Sequence, residues 1–320
     1  MKMEGDGASP KSPCGGGGGG SDDDNTKLAV VEPKPNQPRH NNDEALKEVE
    51  KRLSKDLLER YTLQDIVLTI RGQVQCIRAV EDKTGDTVLL KVSLTPTGAQ
   101  ILNREGEMMD EVDITNTLEL IEDPGNHLVM EWPERGNLED YLEKGPLDIE
   151  EVREIAGDIF RALNDLHQNG YVHEDVRPVH IWLTDDGAKL TGYGLRRATD
   201  STSARHWAPE LRFDDGTLPV HSVDMWAMGV LMLEMLTGEH VFPEEDDDRH
   251  KMHKRLRDPF KLAAFVSNQL EEFEDEDEED MAALERLLAR LLDNTPSKHC
   301  VYFPSAVSKK STERKQEAEG

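Results

Sequence analysis

The chain has 320 residues, with 38 lysines and arginines against 66 aspartates and glutamates, so its formal net charge is −28. A surface this acidic repels phosphate backbones, which argues against nucleic-acid binding and favours basic peptides or proteins as partners. No stretch reaches the roughly 18 consecutive apolar residues of a membrane span, and the start lacks the apolar core of a signal peptide, so we expect a soluble intracellular protein without membrane contact, in the cytoplasm or the nucleus.

The two ends of the chain are predicted to be disordered. Residues 1–42 contain a long glycine run, and residues 303–320 are rich in lysine and glutamate. Such segments bury too little apolar area to offset the loss of chain entropy. The sequence therefore predicts one folded domain at residues 43–302.

The first half of this domain begins with an amphipathic helix and continues with short β-rich segments. The helix is predicted at residues 43–61, where apolar residues from Leu46 to Tyr61 recur at helical spacing. These residues are followed by a small antiparallel sheet with one inserted helix. The predicted strands are 66–70, 74–80, 87–93, 117–121 and 127–132, and the inserted helix is 99–112.

The second half is mainly helical. Asp148 and Glu151 form a capping box at the start of one predicted helix. A β-hairpin is predicted at 181–191, and the almost wholly apolar segment 221–236 is typical of a central buried helix. Two acidic runs interrupt the remaining helices, at 244–248 and 271–280.

Four motifs, in this order along the chain, resemble those of protein kinases. They are residues 88–91 (third strand, ending at Lys91), 171–181 (catalytic loop, with His173, Glu174 and Asp175), 208–210 (Ala208, Pro209 and Glu210, the end of the activation segment) and 223–230 (central helix, with Asp224, Trp226 and Gly229). The resemblance covers roughly residues 61–299. It implies an α+β, bilobal fold, with a small antiparallel sheet lobe at about 61–131 and a mainly helical lobe at about 134–302.

The resemblance also implies a catalytic role for four residues. Lys91 would hold phosphate oxygens, and Glu105 would pair with it from the inserted helix. Asp175 matches the general base that accepts the proton of the substrate hydroxyl, and Arg177 would stand in for the lysine of the catalytic loop. The alternative is that Lys91 and Glu105 remain as a structural ion pair while Asp175 caps loop amides.

The residues at the family's metal-binding positions do not suit magnesium. The aspartate of the family corresponds to Gly192, in the motif that continues with Tyr193 and Gly194, and the asparagine corresponds to His180. Magnesium takes hard oxygen ligands, which glycine lacks and imidazole does not supply. We therefore expect no metal site and little or no magnesium binding.

The nucleotide-binding motifs are also altered. Thr69, Arg71 and Val74 stand where the family's three loop glycines are expected, and only Gly72 remains, out of register. The residues left to hold a nucleotide are Lys91, Gly72, Met130, Glu131 and Trp132. Pro133 follows them and has no N–H to donate to an adenine ring. We expect either no cofactor or weakly bound ATP.

Regulation is predicted to differ from that of the family as well. Glu174 stands where the family commonly has an arginine, so we hypothesise that it pairs with Arg196, Arg197 or Arg205 of the activation segment. Glu210 would meet His299 where the family has a buried arginine, which gives a weaker, pH-dependent bond.

The sequence therefore favours a pseudokinase that acts as a protein-interaction scaffold or allosteric regulator. Its predicted contact surfaces are the activation segment, the two acidic runs and the helix at 43–61. One alternative is an atypical, weakly active Ser/Thr protein kinase that uses Lys91, Asp175 and Arg177 on basic substrates. Another is an acidic, chaperone-like protein.

Overall fold

We analysed a computed structural model of the chain. It describes residues 39–293, except 124, 126, 194–202, 210–220, 244–245 and 274–276. The prediction of disorder for residues 1–42 and 303–320 lies almost entirely outside the described residues, apart from 39–42, which begin the first helix.

The N-terminal extension forms two helices where the sequence predicted one. They are α1 (Arg39–Glu50) and α2 (Lys55–Leu58). The prediction of one continuous helix at 43–61 was therefore wrong. Ser54 caps the start of the second helix. Its backbone is extended, and its side-chain hydroxyl accepts a hydrogen bond from the Leu57 amide. Leu46 and Val49 pack on the outer face of the following sheet.

The sheet lobe has five antiparallel strands in the order β1-β2-β3-β5-β4. Strand β1 begins five residues earlier than predicted, because its polar, largely exposed first half lacks the apolar pattern of a strand. The Arg60 guanidinium bonds to Glu122, which joins the start of β1 to β4 at the opposite edge. The strands are β1 (Tyr61–Ile70), β2 (Val74–Glu81), β3 (Thr87–Ser93), β4 (Leu120–Glu122) and β5 (His127–Glu131).

Helix α3 (Pro96–Glu111) packs against β3 and β5. Thr95 caps it by accepting a hydrogen bond from the Gly98 amide, and Pro96 occupies its first position, where no N–H is needed. Its buried side includes Leu102 and Glu105. This packing places the carboxylate of Glu105 opposite β3.

The second lobe is mainly helical, as predicted. The capping box between Asp148 and Glu151 is present at the start of its long helix. The predicted hairpin is confirmed as a pair of short strands. The elements are β6 (Gly136–Asn137), α4 (Leu138–Leu142), α5 (Ile149–Gln168), β7 (Ile181–Thr184), β8 (Gly187–Leu190), α6 (Ser222–Thr237), α7 (Asp246–Arg255), α8 (Pro259–Gln269) and α9 (Glu278–Leu291).

Helix α6 is the centre of this lobe. Its residues from Ser222 to Leu236 are all buried, and it ends at Gly238, whose φ of 68° suits glycine. Gly229 lets α9 approach closely, since a Cβ there would lie 2.9 Å from the Leu291 Cβ. Among the described residues, no helix combines the length and the apolar character needed to cross a membrane.

Candidate active site between the lobes

Lys91 and Glu105 form a buried ion pair in the sheet lobe. The Lys91 Nζ lies 2.6 Å from the Glu105 Oε1, and the two side chains are 0% and 2% exposed. The same Glu105 oxygen accepts a hydrogen bond of 2.6 Å from the Gly192 amide. The glutamate therefore ties strand β3 and helix α3 to the segment that follows β8.

Asp224 of helix α6 is hydrogen-bonded to the backbone of the catalytic loop. Its carboxylate accepts hydrogen bonds from the amides of His173 (2.9 Å) and Glu174 (2.8 Å) and also contacts the His167 Nε2 (2.8 Å). The His173 ring in turn bonds to the Thr191 carbonyl. These contacts place the side chain of residue 175 under the sheet lobe.

Three side chains converge on one oxygen of Asp175. Its Oδ2 lies 2.7 Å from the Arg71 Nη2, 2.7 Å from the His180 Nε2 and 3.3 Å from the Arg177 Nε. Burial alone would raise the pKa of this carboxyl, but His180, Arg177 and Arg71 outweigh it and hold the pKa well below its usual range. A carboxylate with so low a pKa is a weak proton acceptor. The alternative in which Asp175 caps loop amides is not the arrangement found.

The imidazole of His180 fills the space next to Gly192. A Cβ built on Gly192, whose φ is +84°, would lie 2.5 Å from the His180 Nδ1. Burial lowers the pKa of His180 to about 3, so the ring is neutral at neutral pH and donates its Nε2–H to Asp175. Its Nδ1 has no hydrogen-bond partner among the described residues. No group of three or more metal-ligating side chains is found in the described part of the chain.

Apolar side chains from both lobes form one buried cluster between the two sheets, which we call the interlobe cluster. Leu89 of β3 takes part where the family motif has alanine, and Trp182 of β7 meets it from the other lobe. Both side chains are almost fully buried. Its other members are Ile70, Val74, Cys76, Leu102, Leu118, Leu128, Met130 and Val179.

The roles of Leu89, Trp182 and Arg71 were not predicted from the sequence. A signal for Leu89 was present, since a leucine inside the 88–91 motif is larger than the family's alanine. Trp182 lies two residues after His180. The sequence around it predicts a strand, but it does not predict which residues contact the indole ring. Arg71 was placed at a glycine position, but its partner is 104 residues away.

The predicted nucleotide-holding residues have other contacts. Met130 is buried in the interlobe cluster, and Gly72 lies at the tip of the β1–β2 turn. The carboxylate of Glu131 accepts bonds from Lys189 and the Glu119 amide, and Trp132 lies under the guanidinium of Arg78, 5.2 Å from it. Lys91 has the ion pair with Glu105 that the resemblance implies.

The end of the activation segment is anchored on α6. Ala208 is buried, and the Glu234 carboxylate contacts the His206 Nε2 at 2.9 Å and the His240 Nδ1 at 3.1 Å. Glu174 has a φ of 68° and its amide bonds to Asp224. Two of its three proposed partners, Arg196 and Arg197, lie outside the described residues, and the pairing with them or with Arg205 stays a prediction. Gly194, Glu210 and His299 also lie outside them.

The contacts of Glu234 predict a defined pH dependence of stability. Burial alone would raise its pKa, but His206 and His240 lower it from the usual 4.5 to about 2, while Glu234 raises the pKa of His240 above 6.5. Glu234, whose pKa is lowered, stabilises the fold above pH 4.5 and loses this effect as the pH falls toward 2. His240, whose pKa is raised, stabilises the fold below pH 6.5 and loses this effect at higher pH.

We therefore expect Glu234→Gln to lower stability by about 1.5 to 3 kcal/mol, most strongly between pH 4.5 and 6.5. The measurement is the unfolding temperature of both proteins from pH 3.5 to 8. Glu239→Gln is the control, because Glu239 is exposed and forms no ion pair within the described part of the chain. A difference between Glu234→Gln and wild type that did not change with pH would contradict this assignment.

Comparison with known proteins identifies the family. The model of the protein kinase domain matches residues 71–307. A probable serine/threonine-protein kinase of Clostridium perfringens is 32% identical over 139 residues, which is 39% of this chain and 20% of that protein. Cyclin-dependent kinase-like 1 of Caenorhabditis elegans is 30% identical over 217 residues, 62% of this chain and 58% of that protein.

A solved structure shares the fold. It is that of Rad53 residues 1–466 in complex with AMP-PNP, which is 24% identical, covers 80% of this chain and 66% of that chain, and has a TM-score of 0.60. The chain spans less than two thirds of the length of the two sequence relatives. Because the family model matches most of the folded region described above, this chain belongs to the protein kinase family.

Proposed function

We propose that this protein is a pseudokinase, a non-catalytic domain that acts by binding other proteins. The observation that carries the proposal is that the protein's own side chains occupy part of the space between the lobes, beside the cavity that the β1–β2 turn lines. The interlobe cluster, with Leu89 and Trp182, lies between the two sheets, and Arg71 bonds to the carboxylate of Asp175.

The chemistry of phosphoryl transfer supports the same proposal. Transfer depends on metal ions that bridge the phosphates and neutralise the charge that develops on them. Gly192 has no ligand atom, and the buried His180 points its Nε2 at Asp175. Without hard oxygen ligands at these two positions, the remaining Lys91 cannot neutralise the charge alone.

The charge of the chain supports a basic protein as the partner. With a net charge of −28, the protein attracts basic surfaces over long distances and repels nucleic acids and anionic membranes. Candidate contact surfaces are α1, the acidic residues around 244–248 and 271–280, and the activation segment. We expect co-purification from cells to recover a stable basic partner, and a chain that purifies alone would argue against this part of the proposal.

A weakly active Ser/Thr protein kinase is the second candidate function. The observation that favours it is the intact ion pair between Lys91 and Glu105, which this family uses to position phosphates. This activity would require phosphate incorporation into a protein substrate that both Lys91→Met and Asp175→Asn abolish. Absence of incorporation with Mg²⁺ and with Mn²⁺ would exclude it.

The decisive experiment is thermal unfolding of the full chain with millimolar ATP, first in EDTA and then with Mg²⁺ or Mn²⁺. We expect no change of the unfolding temperature in any condition. A ligand at 100 times its dissociation constant would stabilise the fold by about 2.7 kcal/mol, or roughly 5 to 10 °C for a domain of this size. A metal-dependent rise of this magnitude would contradict the proposed function and favour the kinase.

A further inference from the structure

The turn between β1 and β2 has a backbone that does not suit its sequence. The Gln73 amide bonds to the Ile70 carbonyl at 2.9 Å, and the two central residues, Arg71 and Gly72, have φ values of 51° and 64°. A β-turn with two positive central φ angles favours Asn-Gly, because a long side chain is strained in the left-handed region. An arginine at this position therefore does not match the preference of the turn.

The turn is fixed to the sheet lobe. The Leu94 amide donates a 2.7 Å hydrogen bond to the Gln73 carbonyl. A Cβ at Gly98 would collide with the same carbonyl oxygen, so the start of α3 lies directly against the turn. The turn therefore contacts both the end of β3 and the start of α3.

The side chain of Arg71 connects this turn to the other lobe. Its Nη2 lies 2.7 Å from the Asp175 Oδ2, and the two side chains are 4% and 3% exposed. In the protein kinase family the loop at this position covers the phosphates of a bound nucleotide. Here an arginine of the chain itself holds the loop against the catalytic loop.

The same turn forms one wall of a large cavity. The cavity has a volume of about 1230 Å³ and lies between the turn, helix α4 and the loop that carries Arg177. His206 and Glu234 also line this cavity. Any movement of the turn away from Asp175 would widen this cavity.

We propose that Arg71 and Asp175 form an interlobe bridge that keeps the two lobes closed without any ligand. The bridge holds the β1–β2 turn down, keeps the Asp175 carboxylate buried and limits access to the cavity. This inference rests on the proposed function, in which no nucleotide enters between the lobes. The bridge takes over the closing role that bound phosphates would otherwise have.

The test is Arg71→Asn, measured by hydrogen exchange of backbone amides in the full chain. Asparagine suits the turn better than arginine, so a residue that served the turn alone would give equal or slower exchange and a higher unfolding temperature. The bridge predicts the opposite, with exchange at residues 69–75 and 173–180 accelerated about tenfold and unfolding lowered by roughly 5 °C. Lys83→Asn in the exposed β2–β3 turn is the matched control and should change neither region.

A second comparison keeps the test valid if the single variant is unstable overall. In an Asp175→Asn background, Arg71→Asn should accelerate exchange at 69–75 less than it does in wild type, because the carboxylate charge that faces Arg71 across the bridge is absent. Equal effects of Arg71→Asn in both backgrounds would overturn the bridge. Failure of the bridge would leave the ATP result unchanged, whereas a metal-dependent ATP shift in wild type would overturn the proposed function itself.

Discussion

Gly192→Asp is expected to destabilise the domain and not to recreate a metal site. A side chain at this position must adopt a φ of +84° and place its Cβ 2.5 Å from the His180 Nδ1. The left-handed backbone costs about 1 to 2 kcal/mol and the overpacking about 1 to 3 kcal/mol. The sum lowers the unfolding temperature by roughly 10 °C for a domain of this size.

The variant should be compared with Gly192→Ala and with the pair Gly192→Asp and His180→Asn. Alanine isolates the backbone strain and the Cβ contact from the effect of the carboxylate. The asparagine is smaller than the imidazole, so the double variant should be more stable than the sum of the single effects by about 1 to 3 kcal/mol. If Gly192→Asp alone were as stable as wild type and bound magnesium, the description of this site would be wrong.

Asp175→Asn is expected to lower the free energy of unfolding by about 3 to 5 kcal/mol. The substitution removes the buried negative charge that the guanidinium groups of Arg71 and Arg177 both contact. A general base that faced an open cleft would behave differently, because its replacement by asparagine would remove activity and leave the fold nearly as stable. The measurement is the midpoint of urea unfolding, monitored by tryptophan fluorescence.

Asp185→Asn provides the control for this prediction. Asp185 lies in the exposed turn between β7 and β8, where loss of one charge should change stability by less than about 0.5 kcal/mol. Equal midpoints for wild type, Asp175→Asn and Asp185→Asn would show that Asp175 does not contribute to the free energy of unfolding. That result would return Asp175 to the role of an accessible base and favour the second candidate function.

The retained ion pair between Lys91 and Glu105 is compatible with a structural role. Both groups are buried, and Glu105 also binds the Gly192 amide, so it joins the two lobes. Removing one partner of such a pair leaves an uncompensated buried charge, which is strongly destabilising. The stability of the fold is therefore by itself a sufficient physical reason for this ion pair.

The sequence by itself determined the elements that depend on short-range patterns. The capping box of Asp148 and Glu151, the hairpin at 181–190 and the buried helix α6 all follow from residues close together in the chain, and the structure contains each of them. The same holds for the loss of metal ligands at residues 180 and 192, since a missing carboxylate is visible without coordinates. The two-lobed fold followed from the order of four motifs.

The tertiary structure alone decided what occupies the space between the lobes. Arg71 and Asp175 are separated by 104 residues, and Leu89 and Trp182 belong to the same buried cluster although they lie in different sheets. No periodic pattern encodes such contacts, because they depend on how the lobes pack and not on local backbone geometry. The sequence shows which of the family's metal-binding positions carry Gly192 and His180, and packing shows that the His180 ring lies against Gly192.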